Sequence, residues 1–163
     1  GVQIVGRGDV AKRIDIAATV ISKNGKVDDI LSVDLGYAPV YSNAVGAMVV
    51  AANVLQNKLD GLFDGVSATE LQNILQDKAD ECVFLDVRNP QEYEEERIAG
   101  FDLIPLENLK KRLDEILPDR RIILVSQTGS RAYQAALILK AHGFKNVAIL
   151  EGGLRMWPYA VTR

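Results

Sequence analysis

Residues 123–139, "ILVSQTGSRAYQAALIL", join a strand pattern, a tight loop and a helix pattern. The overlapping run "RIILVS" is apolar up to its last residue, as is typical of a central strand in a parallel sheet. The loop of residues 126–131 leads into "SRAYQAALILKAHG", which predicts a helix closed by Gly143 at the C′ position. The stretch therefore predicts the strand–loop–helix unit of an α/β sheet.

Strand and helix patterns alternate through residues 67–163. Ser67 and Glu70 have capping-box spacing at the start of "VSATELQNIL". Pro118 is expected to end an amphipathic helix over "LENLKKRLDEIL", and "GGLRMW" to begin a last helix. The other predicted extended segments are "CVFLDVR", "FDLIPL" and "NVAIL". This alternation predicts an α/β fold whose parallel sheet is flanked by helices.

Residues 1–60 have a different composition, which is rich in Ala, Val and Gly. We predict a strand over "VQIVGR", a helix capped by Asp9, a short helix over "KVDDILSV" and a helix capped by Asn43. The last of these, "NAVGAMVVAANVLQ", is apolar nearly all round and should be buried on several sides. So short a segment cannot bury that surface alone, so a missing domain or a second subunit is expected to cover it.

Two further features concern the boundaries of the chain. The segment "KLDGLFDGVSAT" carries two Asp-Gly pairs, which predict a linker at residues 61–66 between the two parts. The chain begins with Gly1 and runs at once into a strand pattern, which suggests a piece of a longer polypeptide.

Composition narrows the classes of function. The chain has 19 basic and 22 acidic residues, a net charge of −3 and no basic stripe, so we expect no nucleic-acid partner. The stretch without strong polar groups at residues 44–52 is too short to span a bilayer, so we expect no membrane partner. The single cysteine, Cys82, allows no internal disulfide and fits a cytoplasmic location. We predict no metal site.

The loop after the apolar strand has the features of an anion cradle. Its backbone N–H groups, from Gln127 through Thr128, Gly129 and Ser130 to Arg131, precede the helical hydrogen-bond pattern and can bind an anion. Gly129 permits the backbone turn. Arg131 opposes the helix dipole, so it needs another role, either pairing with a bound anion or forming a salt bridge to a neighbouring carboxylate.

Ser126 occupies the position where such a cradle would activate a thiol. A serine hydroxyl has a far higher pKa than a cysteine thiol and would need a general base. The only histidine, His142, lies at the far end of the same helix, about 17–24 Å away at the helical rise per residue. A Ser–His pair is therefore excluded, and His142 is expected to be a surface residue at the helix C-terminus.

Residues 67–163 resemble a rhodanese (sulfurtransferase) domain along their whole length, through "FLDVRNPQEYEEERIAG", "IPLENL" and "ILVSQTGSRAYQAALILKAHGFKNVAILEGGLRMW". The resemblance implies a loop that carries sulfane sulfur as a persulfide on a cysteine, cradled by the loop amides. The six residues of the loop match the rhodanese length, whereas related phosphatases use a loop one residue longer.

The departure from this family is at its nucleophile, because the family cysteine falls on Ser126. Cys82 is no substitute, since it opens "CVFLDVR" at the amino end of its strand, away from the expected site. A second departure is Arg97, where the family often has histidine. We hypothesise that Ser126 is an engineered replacement of cysteine; natural loss of the cysteine is the alternative.

Residues 1–60 resemble the last part of the dimerisation domain of FAD-dependent pyridine nucleotide–disulfide oxidoreductases, through "VQIVGRGDVAKRIDIAATVI" and "DLGYAPVYSNAVGAMVVAANV". The order of the two parts suggests the CoA-disulfide reductase or NADH-dependent persulfide reductase branch. The resemblance implies a partial α+β dimerisation domain and a homodimer. It places Tyr37, Ala38, Pro39 and Tyr41 near the partner's flavin and CoA site. Packing at the interface is the alternative role for both tyrosines.

The two resemblances imply a parent enzyme that uses NADH and FAD to reduce CoA persulfide, polysulfide or CoA disulfide, with a rhodanese domain that relays sulfane sulfur. Persulfide, polysulfide and CoA thiols are then the small-molecule partners. FAD, NADH and coenzyme A belong to the parent, and none is expected on this chain alone. Two alternatives stay open: a naturally non-catalytic rhodanese module that binds an anion or a protein and regulates the reductase, or a purely structural role.

Overall fold

The computed structural model describes residues 1–7, 10–36, 38–40, 43, 45–77 and 79–163, with the side chain of residue 80 left aside. They form two compact units, residues 1–61 and 62–163. The helices are α1 (Ala11–Ser22), α2 (Val27–Ser32), α3 (Ala47–Leu59), α4 (Ala68–Asp77), α5 (Pro90–Glu95), α6 (Leu106–Leu109) and α7 (Ser130–Ala141). The strands are β1 (Asp64–Val66), β2 (Cys82–Asp86), β3 (Asp102–Leu103), β4 (Arg121–Val125) and β5 (Val147–Leu150). Short 3-10 turns cover Ala79–Glu81, Leu113–Glu115 and Leu154–Met156.

The second unit is built on a five-stranded sheet in the order β1-β5-β4-β2-β3, and every pairing is parallel. This confirms the predicted α/β fold with a parallel sheet flanked by helices. Strand β4 pairs with β2 and β5, and its residues Ile122, Ile123, Leu124 and Val125 are fully buried. They alternate between two core clusters, Ile122 and Leu124 in one and Ile123 and Val125 in the other, as expected for a strand covered on both faces.

Helix α7 confirms the predicted unit around β4. It packs on β4 and β5 and buries Ala132, Ala135, Ala136 and Leu139. At its C-terminus, Gly143 has a φ of +91°, its N–H donates to Lys140 O, and the N–H of Phe144 donates to Leu139 O. These are the two hydrogen bonds of a Schellman motif, so the predicted C′ glycine is confirmed. At the start of α4, the Glu70 N–H donates to Ser67 Oγ at 3.2 Å, as the capping pattern predicted.

Three predictions in the second unit were wrong. Residues 64–66, expected to be linker, form the edge strand β1 beside β5. The stretch "LENLKKRLDEIL" is not one helix: α6 ends at Leu109, and i,i+3 hydrogen bonds to Asn108 and Leu109 follow it. This path still buries both Leu109 and Ile116, so tertiary packing overrides the helical pattern. The last predicted helix, at "GGLRMW", is only the 3-10 turn Leu154–Met156.

In the described part of the first unit, residues 1–61, the regular elements are the helices α1, α2 and α3. Residues 1–7 form no strand, so the predicted strand at "VQIVGR" was wrong, and the described residues of this unit contain helices but no strand of the expected α+β architecture. Helix α2 is confirmed, whereas α3 begins after Gly46 and not after Asn43. Asp9, the predicted cap of α1, lies outside the described residues.

Helix α3 was predicted to be buried on several sides, but within this chain it buries only Met48 and Ala52 among its described residues. Val50, Val54 and Leu55 are about half exposed, at 49%, 50% and 46%. Helices α1 and α2 contact α3 but leave this apolar face uncovered. No helix in the described part of the chain is long and apolar enough to cross a membrane.

We predict that Gly153→Ala destabilises the second unit by about 3 kcal/mol or more. Gly153 has φ +63° and ψ −165°, a conformation open essentially to glycine alone, and an added Cβ would lie 2.3 Å from Ser126 O. Fluorescence of Trp157, the single tryptophan, in urea unfolding would report this loss.

Gly143→Ala is the matched control, because Gly143 also has positive φ but an added Cβ there meets nothing within 4 Å. It should cost only about 1–2 kcal/mol, the penalty for the left-handed conformation. Equal effects of the two substitutions would contradict the proposed contact between residue 153 and the Ser126 carbonyl.

Candidate active site

The loop of residues 126–131 lies at the carboxyl edge of the sheet, between the end of β4 at Val125 and the start of α7 at Ser130. Asp86, the last residue of β2, is paired in register with Val125. The charged residues that follow β2 therefore lie beside the loop that follows β4. Ligands of open parallel sheets bind at this edge, so the topology places the predicted loop where such a site is expected.

Ser126 is buried at the start of the loop, with 1% of its surface exposed. Its Oγ accepts hydrogen bonds from the backbone N–H groups of Gly129 and Ala132, both at 3.2 Å. Its carbonyl oxygen accepts from the N–H of Leu154 at 2.9 Å. The side-chain oxygen therefore occupies a fixed position at the N-terminus of α7, held by two backbone donors.

The other loop amides retain donor capacity. The N–H groups of Gln127, Thr128, Ser130 and Arg131 find no protein acceptor within the part of the chain that the structure describes. Gly129 adopts φ +91°, the left-handed conformation that lets the chain turn into the helix. The side chains of Thr128 and Ser130 are exposed. The loop thus offers a set of backbone donors with little side-chain chemistry, as an anion cradle requires.

Arg131 forms a salt bridge to a neighbouring carboxylate, one of the two roles that the sequence left open for it. Its Nη1 and Nη2 donate to the two carboxylate oxygens of Glu92 on α5, at 2.7 and 2.6 Å. Glu92 also accepts from the N–H of Asn89 in a capping box. The hydrogen bonds from Arg131, helped by that of Asn89, lower the pKa of the Glu92 carboxyl from 4.5 to about 2.

A second ion pair supports the loop from β2. Arg88 is 1% exposed and donates through Nε and Nη2 to the fully buried Asp86 carboxylate, with a shortest distance of 2.7 Å. Its Nη1 donates to Gln127 Oε1 at 3.2 Å, and its Nη2 also donates to the carbonyl of Glu96. A buried charge survives only when it is paired and hydrogen-bonded, and this arginine satisfies both conditions.

Sequence reasoning gave no role to Asp86, Arg88 or Glu92. The available signals were local: two opposite charges closing an apolar strand in "FLDVR", and the capping-box spacing from Asn89 to Glu92. Neither signal identifies a partner on the loop, because Arg88–Gln127 and Glu92–Arg131 are each separated by 39 residues.

The remaining residues that the sequence singled out lie away from the loop or are not among the residues that the structure describes. Cys82 is half-buried at the amino end of β2, as expected, and His142 is exposed at the C-cap of α7. Ala38 and Pro39 are exposed residues of the first unit. Tyr37 and Tyr41 lie outside the described residues.

We predict that Glu92→Gln lowers the free energy of unfolding at neutral pH by about 1–3 kcal/mol, the range for a charged hydrogen bond. Because the folded pKa is about 2 and the ordinary value is 4.5, the carboxylate's contribution is complete above pH 4.5 and is lost as the pH falls toward 2. The difference between the two proteins, measured by urea unfolding at several pH values, should shrink over this interval.

Glu115→Gln is the control for net charge, because it breaks the exposed pair of Arg112 and Glu115. Its effect should be much smaller, since solvent screens that pair. A Glu92→Gln difference that stays constant from neutral pH to about pH 2 would show that the carboxylate charge is not what stabilises the loop.

Comparison with known proteins finds solved structures and sequences that are similar to this chain. The chain is 42% identical to a structure of an NAD-dependent persulfide reductase from A. fulgidus, with a TM-score of 0.77 over 93% of this chain and 26% of that one. It is 36% identical to reduced CoADR-RHD of Bacillus anthracis, with a TM-score of 0.85 over 93% of this chain and 27% of that one. A sulfurtransferase of Allochromatium vinosum is 29% identical over 59% of this chain and 89% of its own length.

The chain is thus similar to about a quarter of the length of the A. fulgidus persulfide reductase and of the Bacillus anthracis CoADR-RHD. It spans 58% and 52% of the lengths of two relatives from Bacillus subtilis. The family profile of the rhodanese-like domain matches residues 67–159, more than half of the chain. This match runs from α4 past β5 and includes strands β2 to β5 and the loop at the carboxyl edge of the sheet. The chain belongs to the rhodanese-like domain family.

Proposed function

We propose that this chain is the C-terminal part of an NADH- and FAD-dependent reductase of CoA persulfide, polysulfide or CoA disulfide, in which the rhodanese domain relays sulfane sulfur. The observation that carries this proposal is the similarity to two reductases over 93% of the chain, which includes most of the first unit as well as the rhodanese domain. FAD, NADH and coenzyme A would be held by the parent enzyme.

Ser126 occupies the proposed position of the sulfur-carrying cysteine. A cysteine sulfur in place of its Oγ would face the same two N–H donors, Gly129 and Ala132, at the N-terminus of α7. Such donors stabilise a thiolate and lower the pKa of the thiol. We propose that serine is an engineered replacement of that cysteine and that this chain is inactive in sulfur transfer.

The first unit is proposed to be the end of a dimerisation domain. Its α3 leaves Val50, Val54 and Leu55 about half exposed, a surface that a second subunit of a homodimer would cover. In such a dimer Tyr37, Ala38, Pro39 and Tyr41 would lie near the partner's flavin and CoA site. The parent enzyme is proposed to act in the cytoplasm.

One observation favours a second candidate function. The loop keeps four amides without a protein acceptor in the described part of the chain even though residue 126 is serine. A naturally non-catalytic rhodanese module could use them to bind an anion and so regulate the reductase.

We predict that Ser126→Cys confers transfer of sulfur from polysulfide or thiosulfate to cyanide, at least about a thousandfold above the starting chain. The thiol should titrate below the ordinary pKa of about 8.5, because the two loop amides favour the thiolate. Cyanide-dependent thiocyanate formation and the pH dependence of alkylation measure the two effects.

The starting chain, which retains Cys82, is the matched control for reactions of a cysteine outside the loop. It should form no thiocyanate above background. A correctly folded Ser126→Cys protein that takes up no sulfur from either donor would exclude the catalytic function of this domain and favour the anion-binding module.

A further inference from the structure

The loop is bordered by two arginines, and both are engaged by carboxylates. Arg131 directs both Nη atoms at the two oxygens of Glu92. Arg88 directs Nε and Nη2 at Asp86 and gives Nη1 to the side chain of Gln127. Each guanidinium therefore already makes the bidentate contact with an acid that it would otherwise offer to an oxyanion.

The four loop residues between Ser126 and Arg131 add no charge of their own. Gln127, Thr128, Gly129 and Ser130 are all neutral at pH 7. The donors left to a ligand are backbone N–H groups at the start of α7, which together provide about half an elementary charge. That partial charge suits a neutral or singly charged group but does not compensate the desolvation of a dianion.

We propose that Glu92 determines the charge selectivity of the loop. By occupying the guanidinium of Arg131, it favours a sulfur donor that carries at most one charge on its sulfur chain, an organic persulfide or polysulfide, over the dianion thiosulfate. Glu92 acts through Arg131 and is a specificity-determining positioning residue, not a catalytic one. This inference rests on the proposed sulfur-transfer function, whose site it describes further.

The reaction in question is a displacement at sulfur that needs no external oxidant or reductant. In the Ser126→Cys protein the thiolate attacks the terminal sulfur of a persulfide RSSH, a new S–S bond forms, and the old S–S bond breaks. The products are the protein persulfide and the thiolate RS⁻, so the charge of −1 is conserved. With thiosulfate the same attack releases sulfite, and the loop must accommodate a donor that carries two charges.

Arg155 is the neighbouring cation that could act instead of Arg131. Its backbone N–H donates to Gln127 O at 3.0 Å, and its side chain is exposed. If Arg155 were the anion-binding group, removing its charge would weaken thiosulfate binding whether or not Glu92 is present. The two possibilities therefore predict different results for Arg155→Ala.

The first test uses the unchanged Ser126 chain and follows the loop amides by NMR during titration with sodium thiosulfate at constant ionic strength. We expect no saturable shift in the starting chain, and saturable shifts of residues 127–131 in Glu92→Gln, with affinity at least about 10-fold higher. Glu115→Gln, which removes the same charge from the bidentate Arg112 pair, should behave like the starting chain.

The starting chain alone can overturn the proposal, should Glu92→Gln fail to fold. Saturable thiosulfate binding at the loop amides of that chain with a Kd below about 1 mM would show that Glu92 does not exclude a dianion. Loss of the Glu92→Gln gain on adding Arg155→Ala, with its retention on adding Arg131→Gln, would overturn the proposal too, because Arg155 would then be the binding group.

The second test compares donors in Ser126→Cys with and without Glu92→Gln. The ratio of kcat/KM for thiosulfate to kcat/KM for glutathione persulfide should rise at least about 10-fold in the double variant, mainly through KM. An unchanged ratio would refute the role of Glu92, since a general loss of stability lowers both values together. If Ser126→Cys accepts sulfur from neither donor, the proposed sulfur transfer fails, and the NMR titration still decides the role of Glu92.

Discussion

Burial of β4 on both faces is the constraint on which the rest of this structure depends. The side chains of Ile122 to Val125 are fully shielded from water, and each contributes about 1.5–3 kcal/mol of hydrophobic stabilisation. The strand lies between β2 and β5, and its chain leaves the sheet at the carboxyl edge. Ser126 is the first residue beyond that edge, so the position of the loop follows from the burial of the strand before it.

The loop is then fixed from three directions. At the start of α7, the N–H groups of Gly129, the residue before the helix, and of Ala132 donate to Ser126 Oγ. The turn at Gly153 directs the N–H of Leu154 at the Ser126 carbonyl. From the other side, Arg88 holds the side chain of Gln127. The contacts at the Ser126 carbonyl and at the Gln127 side chain do not involve the side chain of residue 126, so they can hold the loop in place while that residue is a serine.

The charged side chains beside the loop form ion pairs with one another. Asp86 with Arg88 and Glu92 with Arg131 each combine a carboxylate and a guanidinium, one pair buried and one partly exposed. Each ion pair stabilises the local structure without adding net charge to the site. The donors that remain for a ligand are backbone amides, and their partial charge distinguishes this loop from a site in which a guanidinium meets a phosphate or sulfate directly.

The sequence by itself determined the elements whose signals are local: the apolar run of β4, the glycine that closes α7, the serine that caps α4 and the alternation that makes the sheet parallel. It also placed Ser126 at the head of an anion cradle. Only the tertiary structure decided that residues 64–66 join the sheet, that "LENLKKRLDEIL" breaks after Leu109 and that Arg131 pairs with Glu92. The physical reason is separation along the chain: periodicity and capping act over a few residues, whereas the partner of Arg131 lies 39 residues away and is chosen by the fold.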